Sequence, residues 1–198
     1  MALAGSEPAA LPQYTPTTPA GRRVLDAASR LFYDRGINSV GMDLLAEEAG
    51  VTKKTIYDRF GSKEILVAAY LYRRDRYWRE WLTGRLDPDA PAGERILATY
   101  DALDEWLHHE NPRGCAMVNA TVEITDPDHP GRAVVRSQKQ WMRELYADMA
   151  REAGLDEPDA AGGTLLILGE GATTAFSSAG VEEAARLARD TAARLYGL

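Results

Sequence analysis

The sequence predicts an all-α protein of about nine helices, and three observations predict it. Apolar residues recur at intervals of three and four, the helical period, in most stretches between turns. Ala, Leu, Arg and Glu are abundant, while alternating runs of β-branched and aromatic residues are scarce. Helix-start signals also punctuate the chain: Thr18-Pro19, Thr52, Ser62, Pro91, Pro130 and Pro158. At 198 residues the chain accommodates a small domain followed by a larger one. The divisions expected are a tail over residues 1–17, a three-helix head over 18–61 and a larger helical domain over 62–198.

Residues 1–17 are rich in Pro, Ala and Thr and nearly uncharged, a composition that favours a mobile tail. An arm reaching into a nucleic-acid groove is the alternative, but no Lys or Arg precedes Arg22 to meet phosphate. Thr18 and Pro19 then start a first helix, which Gly36 ends. Val24, Leu25, Ala28, Leu31 and Phe32 share its inward face. Arg22 and Arg23 sit in its first turn, as solvated surface charges or as flanking phosphate contacts.

Residues 42–59, MDLLAEEAGVTKKTIYDR, hold two short helical segments around a tight turn. Leu45, Ala46 and Ala49 form one face of the first, and Gly50 can take the positive φ that ends it. Val51 packs the turn, and the Thr52 hydroxyl is placed to cap the second segment. There Ile56 points inward, leaving Lys53, Lys54, Thr55 and Tyr57 to face out. A helix this short is marginal alone and needs bracing from behind. A braced short helix with a cationic and hydroxylic outer face is the pattern of a helix-turn-helix reader of the DNA major groove. Lys53 and Lys54, at its N-terminal end, can donate to guanine or phosphate, and Thr55 can meet a thymine methyl.

About fifty residues, from RRVLDAASRLF through TKKTIYDRFGSKEILVAAYL, resemble the TetR/AcrR family of transcriptional regulators. Ala46, Gly50, Val51, Tyr57, Phe60, Lys63 and Glu64 carry the spacing. The resemblance implies a double-stranded DNA operator, a homodimer on a near-palindromic site, an unidentified small-molecule effector and repression as the default. It also implies that the Tyr57 hydroxyl contacts phosphate. Two departures are visible. Val40 and Gly41 stand where Thr or Ser is common, removing a hydroxyl from the start of the second helix. Lys-Lys-Thr replaces Lys-Gly-Thr or Arg-Gly-Thr, adding a cation to the recognition turn.

Ser62 caps a long fourth helix expected to reach Thr83, with Lys63 read as a phosphate anchor beside the helix's free amides. Starting in the head and ending beyond it, this helix is the expected mechanical link. Pro91 opens a fifth helix with Ile96, Leu97, Tyr100, Leu103 and Trp106 inward. A short sixth covers CAMVNATVEIT, and His129 caps a seventh before Pro130. The run RGC, Asn119, Glu123 and DPDHP resembles the ligand-binding half of one branch of the family. Pro158 opens an eighth helix, in which Gly162, Gly163, Gly169, Gly171 and Ala172 are expected to permit close helix contacts. In the ninth, from Val181 to Tyr196, the apolar face is wider than one protomer needs. The helices at about 158–180 and 181–196 are therefore expected to form a four-helix dimer interface, with a plain core pair as the alternative.

Net charge is −7, but the chain through Arg85 carries +3 and the remainder −10, so the basic surface lies at the head. A single cysteine excludes an intramolecular disulfide framework and suits a reducing cytoplasm. No apolar run approaches membrane-spanning length, and no signal peptide is legible, so a cytoplasmic protein with no membrane partner is expected. Effector-pocket candidates are Trp81, Tyr100, Trp106, Cys115, Asn119, Glu123, Trp141 and Phe176, aromatic walls with a few polar groups. Each alone reads more readily as core than as pocket. Cys115 as a redox or electrophile sensor, and a metal site drawn from His108, His109, Glu123, Asp126 and His129, are weaker alternatives, since no metal-ligand spacing recurs. No metal or cofactor is expected. Three histidines in poor spacing do not make a catalytic constellation. The competing function is an all-helical enzyme or small-molecule-binding protein without DNA binding, or an interaction module, either of which leaves the Lys53-Lys54 face unexplained.

Overall fold

A computed structural model describes residues 14–198. Among these, helices run in the order α1 Pro19–Arg35, α2 Met42–Ala49, α3 Lys53–Phe60, α4 Lys63–Thr83, α5 Ala92–His109, α6 Ala116–Glu123, α7 Pro130–Glu152, α8 Pro158–Ala179 and α9 Ala184–Tyr196. No strand occurs among the described residues. The expected tail lies outside the described residues for 1–13. Tyr14, in the same stretch, is instead buried, with its ring 6.1 Å from that of Tyr72.

Two compact units divide the chain. One holds the described residues through Tyr77 together with Ala116–Ser137; the other holds Trp78–Cys115 and Gln138–Leu198. The sequence placed the boundary at 61/62, after the third helix. The compact units divide inside α4, and α6 with the first turns of α7 groups with the helices of the head.

In the head, the Thr18 hydroxyl accepts the Gly21 amide at 3.1 Å and Pro19 fills the first turn of α1. Val24, Leu25, Ala28, Leu31 and Phe32 are buried, as their spacing requires. Leu45, Ala46 and Ala49 of α2 and Ile56 and Phe60 of α3 are buried as well, and α1, α2 and α3 all pack on one another. Arg30 of α1 pairs with Glu48 of α2 at 2.6 Å. Arg23 donates from Nε to the Ala49 carbonyl at 3.2 Å, so it satisfies the C-terminal end of α2, a role the sequence did not suggest.

In the second unit, α9 packs on α8 and α5, and α5 on α8. Tyr100, Leu103, Trp141, Met142, Leu145, Tyr146 and Leu165 lie in one core cluster. Gly162 meets α7 closely: a Cβ there would lie 2.8 Å from the Arg143 carbonyl and the Ala147 amide. Gly163 and Gly171 face open space, and Gly169 makes only ordinary contacts, so one glycine of the expected set enforces a close approach. Ala184, Ala185, Ala188 and Ala192 bury one side of α9, while Leu187 and Leu195 stay 51% and 57% exposed. Ile167 of α8 is 70% exposed.

Candidate nucleic-acid interface

Gly50 adopts φ 60° and ψ 45°, and the Val51 amide closes back on the Ala46 carbonyl at 3.0 Å. That left-handed turn ends α2 and aims the chain into α3. Thr52 is extended, and its Oγ1 accepts the Thr55 amide at 3.1 Å, capping α3. With Ile56 fully buried, the opposite face of α3 is fixed outward. Thr52, Lys53, Lys54 and Tyr57 are exposed, and Thr55 is half-buried. The Thr55 and Thr52 hydroxyls lie 3.0 Å apart. No side chain caps α2 at Gly41.

Both recognition-helix lysines are held by carboxylates. Lys53 Nζ lies 2.6 Å from Asp43, in the first turn of α2, and Lys54 Nζ 2.9 Å from Asp58, one turn along α3. Exposed pairs of this kind are worth about 0–1 kcal/mol, so a phosphate can displace either partner. Lys63, the expected phosphate anchor, is engaged within the head. Its ammonium donates to the Ile37 carbonyl at 2.8 Å and lies 5.9 Å from the centre of the Phe32 ring. Burial pulls its pKa below the ordinary lysine value, and Glu123 and Glu64 oppose that shift. Lys63 is thus a brace for the loop between α1 and α2.

The eight pocket candidates are divided between the two units. Trp81, Tyr100, Trp106, Cys115, Trp141 and Phe176 belong to one compact unit, Asn119 and Glu123 to the other. Glu123 accepts the Asn38 amide at 2.8 Å, so its carboxylate serves the head. Tyr100 is core: its hydroxyl donates to the Leu165 carbonyl at 2.8 Å and its ring stacks on Tyr146. Burial raises the Tyr100 pKa far above the usual phenol range and pushes Tyr146 up to about 12. Trp78 and Trp81 both meet Trp106 edge-on, at 5.1 and 5.3 Å, and Trp141 lies under the Arg79 guanidinium at 4.5 Å. Phe176 meets His108 edge-on at 4.9 Å.

Cys115 Sγ accepts from Lys139 Nζ at 3.3 Å, and Lys139 pairs with Glu170 at 2.6 Å. Burial works against the Lys139 ammonium, but Cys115 and Glu170 outweigh it and leave its pKa above the ordinary value. Sequence reasoning missed Lys139, whose only signal was a cation within a largely apolar helix face. His129 caps α7 as expected, its Nδ1 accepting the Gly131 amide at 2.9 Å. Among the described residues no group of three or more His, Cys, Asp or Glu is placed to hold a metal. No helix there is long and apolar enough to cross a membrane.

A short capped helix, braced by two others and turning a cationic, hydroxylic face outward, defines a helix-turn-helix DNA-binding protein. Residues 24–70 match the family model of bacterial regulatory proteins of the tetR family. An HTH-type transcriptional regulator of Mycobacterium tuberculosis is 31% identical over 162 residues, covering 71% of this chain and 79% of that one. A TetR-family transcriptional regulator from Streptomyces coelicolor, SCO4454, superposes with a TM-score of 0.82 at 31% identity, over 90% of this chain and 96% of that one. The reduced form of NemR from Escherichia coli shares the fold, with a TM-score of 0.78 at 23% identity over 90% and 98% of the two chains. The chain belongs to the TetR family of bacterial transcriptional regulators and is itself a DNA-binding regulator.

Proposed function

We propose that the protein is a homodimeric repressor that binds a near-palindromic operator through α3 and leaves it when a small effector is bound. The observation that carries the DNA half is the outward face of α3, with Ile56 locked beneath it. Thr52, Lys53, Lys54, Thr55 and Tyr57 supply that face. Lys53 or Lys54 donates to guanine or phosphate, Thr55 meets a base edge, and the Tyr57 hydroxyl meets phosphate. One such head makes too few contacts for useful specificity. Two heads about one helical turn apart, roughly 34–36 Å, supply the rest.

The dimer is assigned to α8 and α9. Exposed Ile167, Leu187 and Leu195 support it, because the same helices already bury their alanine faces within one protomer. The effector is assigned to the second unit, among Trp81, Trp106, Trp141, Phe176 and Cys115, with the Lys139–Glu170 pair as polar handle. Release requires that the effector bind one arrangement of the protein more tightly than the other, with α4 as the mechanical link. Relatives include the repressors KstR2 of Mycolicibacterium smegmatis and NemR of Escherichia coli, and also the activator FasR of Mycolicibacterium smegmatis. Repression is favoured because operator occupancy alone can block transcription.

The test is a gel shift with the duplex that the protein enriches from a randomised pool, followed by a reporter carrying that duplex at its promoter. A saturable, salt-sensitive shift and a reporter silenced by the protein support the reading. No enrichment of any sequence contradicts the DNA half, and a reporter raised by the protein contradicts repression.

A further inference from the structure

The loop between α1 and α2 is tied, residue by residue, to α4 and α6. Gly36 has φ 86°, a conformation open to glycine, and a Cβ on it would lie 3.1 and 3.2 Å from the two Glu123 carboxylate oxygens. The Ile37 carbonyl accepts from Lys63 at the start of α4. Asn38 is held twice: its backbone amide donates to Glu123 Oε2 at 2.8 Å, and its side-chain amide donates to the Glu123 carbonyl at 3.1 Å. Glu123 is the last residue of α6, so its carbonyl is one of those the helix leaves without an internal partner. Asn38 therefore caps α6 while the α6 carboxylate holds the loop. The exchange is reciprocal.

We propose that Glu123 is a positioning residue for the reading head, acting from the end of α6 on the Gly36–Asn38 loop and through it on α2 and α3. The loop leads directly into α2, and α2 with α1 forms the floor on which α3 rests. A backbone N–H bound to a carboxylate is a short, charge-assisted bond that fixes the peptide plane. A movement of α6 then carries the loop with it, and the angle of α3 against the duplex changes without any change in the residues that touch DNA. This inference rests on the reading of α3 as the DNA-contacting helix.

The experiment compares wild type with Glu123→Ala and Glu123→Gln in the full chain, using the duplex enriched by the wild type. Hydrogen exchange without DNA first reads the clamp: the Asn38 amide is protected in wild type and in Glu123→Gln, and exposed in Glu123→Ala. Operator affinity follows it, about tenfold weaker in Glu123→Ala and near wild type in Glu123→Gln, whose side-chain oxygen still accepts the amide. If carboxylate charge alone mattered, both variants would bind DNA equally and more tightly, because each removes a negative charge near phosphate. That outcome overturns the proposal. So does an Asn38 amide that stays protected in Glu123→Ala, or an opened clamp with unchanged affinity. Should Glu123→Ala not fold, Asn38→Ala keeps the backbone donor but loses the cap on α6, and affinity must fall there; unchanged affinity overturns the proposal. Lys53→Ala, run alongside, separates the two readings: if that variant also binds normally, α3 as reader has failed, not the clamp.

Discussion

Lys53 Nζ sits 2.6 Å from Asp43 Oδ1, so the first residue of α3 is tied to the first turn of α2 across the helix-turn-helix. Both side chains are well exposed, and the pair orients Lys53 without committing it. Asp43→Asn releases the ammonium and removes a negative charge beside the duplex. Non-specific DNA binding should tighten a few-fold at low salt, an effect that fades as screening rises. Titration of an unrelated duplex at two ionic strengths checks it, and an unaltered affinity at both would remove Asp43 from the interface.

The Thr52 cap holds a helix of only 8 residues. Thr52→Ala should cost about 1 kcal/mol of head stability. Thr52→Ser, which keeps the hydroxyl, should recover most of it. Thermal melts of the three proteins decide the matter, and equal melting temperatures would show that the cap carries little.

Tyr57 is 47% exposed on the outer face of α3. Tyr57→Phe keeps the ring and removes the hydroxyl, so affinity should fall by a similar factor for every operator variant. A loss confined to one base position would place Tyr57 on a base instead.

His129 gives the chain a pH response. Burial holds its pKa below the ordinary 6.5, Glu64 and Asp126 oppose that shift, and Arg132 adds to it. The unfolded chain therefore takes the proton first. The stabilisation is fully present above 6.5 and is lost as pH falls through the lower folded value. Protonation also turns Nδ1 from acceptor to donor and breaks the cap on Gly131. His129→Asn keeps an acceptor that does not titrate. Between about pH 7.5 and pH 5 its melting temperature should fall less than that of wild type; parallel curves would exclude His129 as the source.

The head was legible because local signals agree there. Thr18, Thr52 and Ser62 stand where caps are needed, Gly50 where a left-handed turn is needed, and one apolar face runs through α1, α2 and α3. Ser62 Oγ indeed accepts the Ile65 amide at 3.2 Å. What stayed hidden depends on residues distant in sequence. Asn38 and Glu123 are 85 positions apart and Lys63 and Ile37 are 26 apart, and neither pair leaves a periodic trace. Lys63 at a helix start reads as an anion anchor until a carbonyl is found within its reach. Glu123 reads as a polar group in an aromatic pocket until α6 is seen to end against the head. Gly163 and Gly171 show the same limit, since composition marks small residues but not which of them face a neighbouring helix.

The central claim is that the outer face of α3 enters a DNA duplex, and the salt dependence of binding tests it most directly. Wild type and Lys53→Ala are titrated with the enriched duplex over a range of salt concentrations, and log affinity is plotted against log salt. Losing one phosphate contact per head should weaken binding and lower the magnitude of the slope by about one for each head bound. Equal affinities and parallel slopes would contradict the account, because Lys53 would then lie away from the DNA.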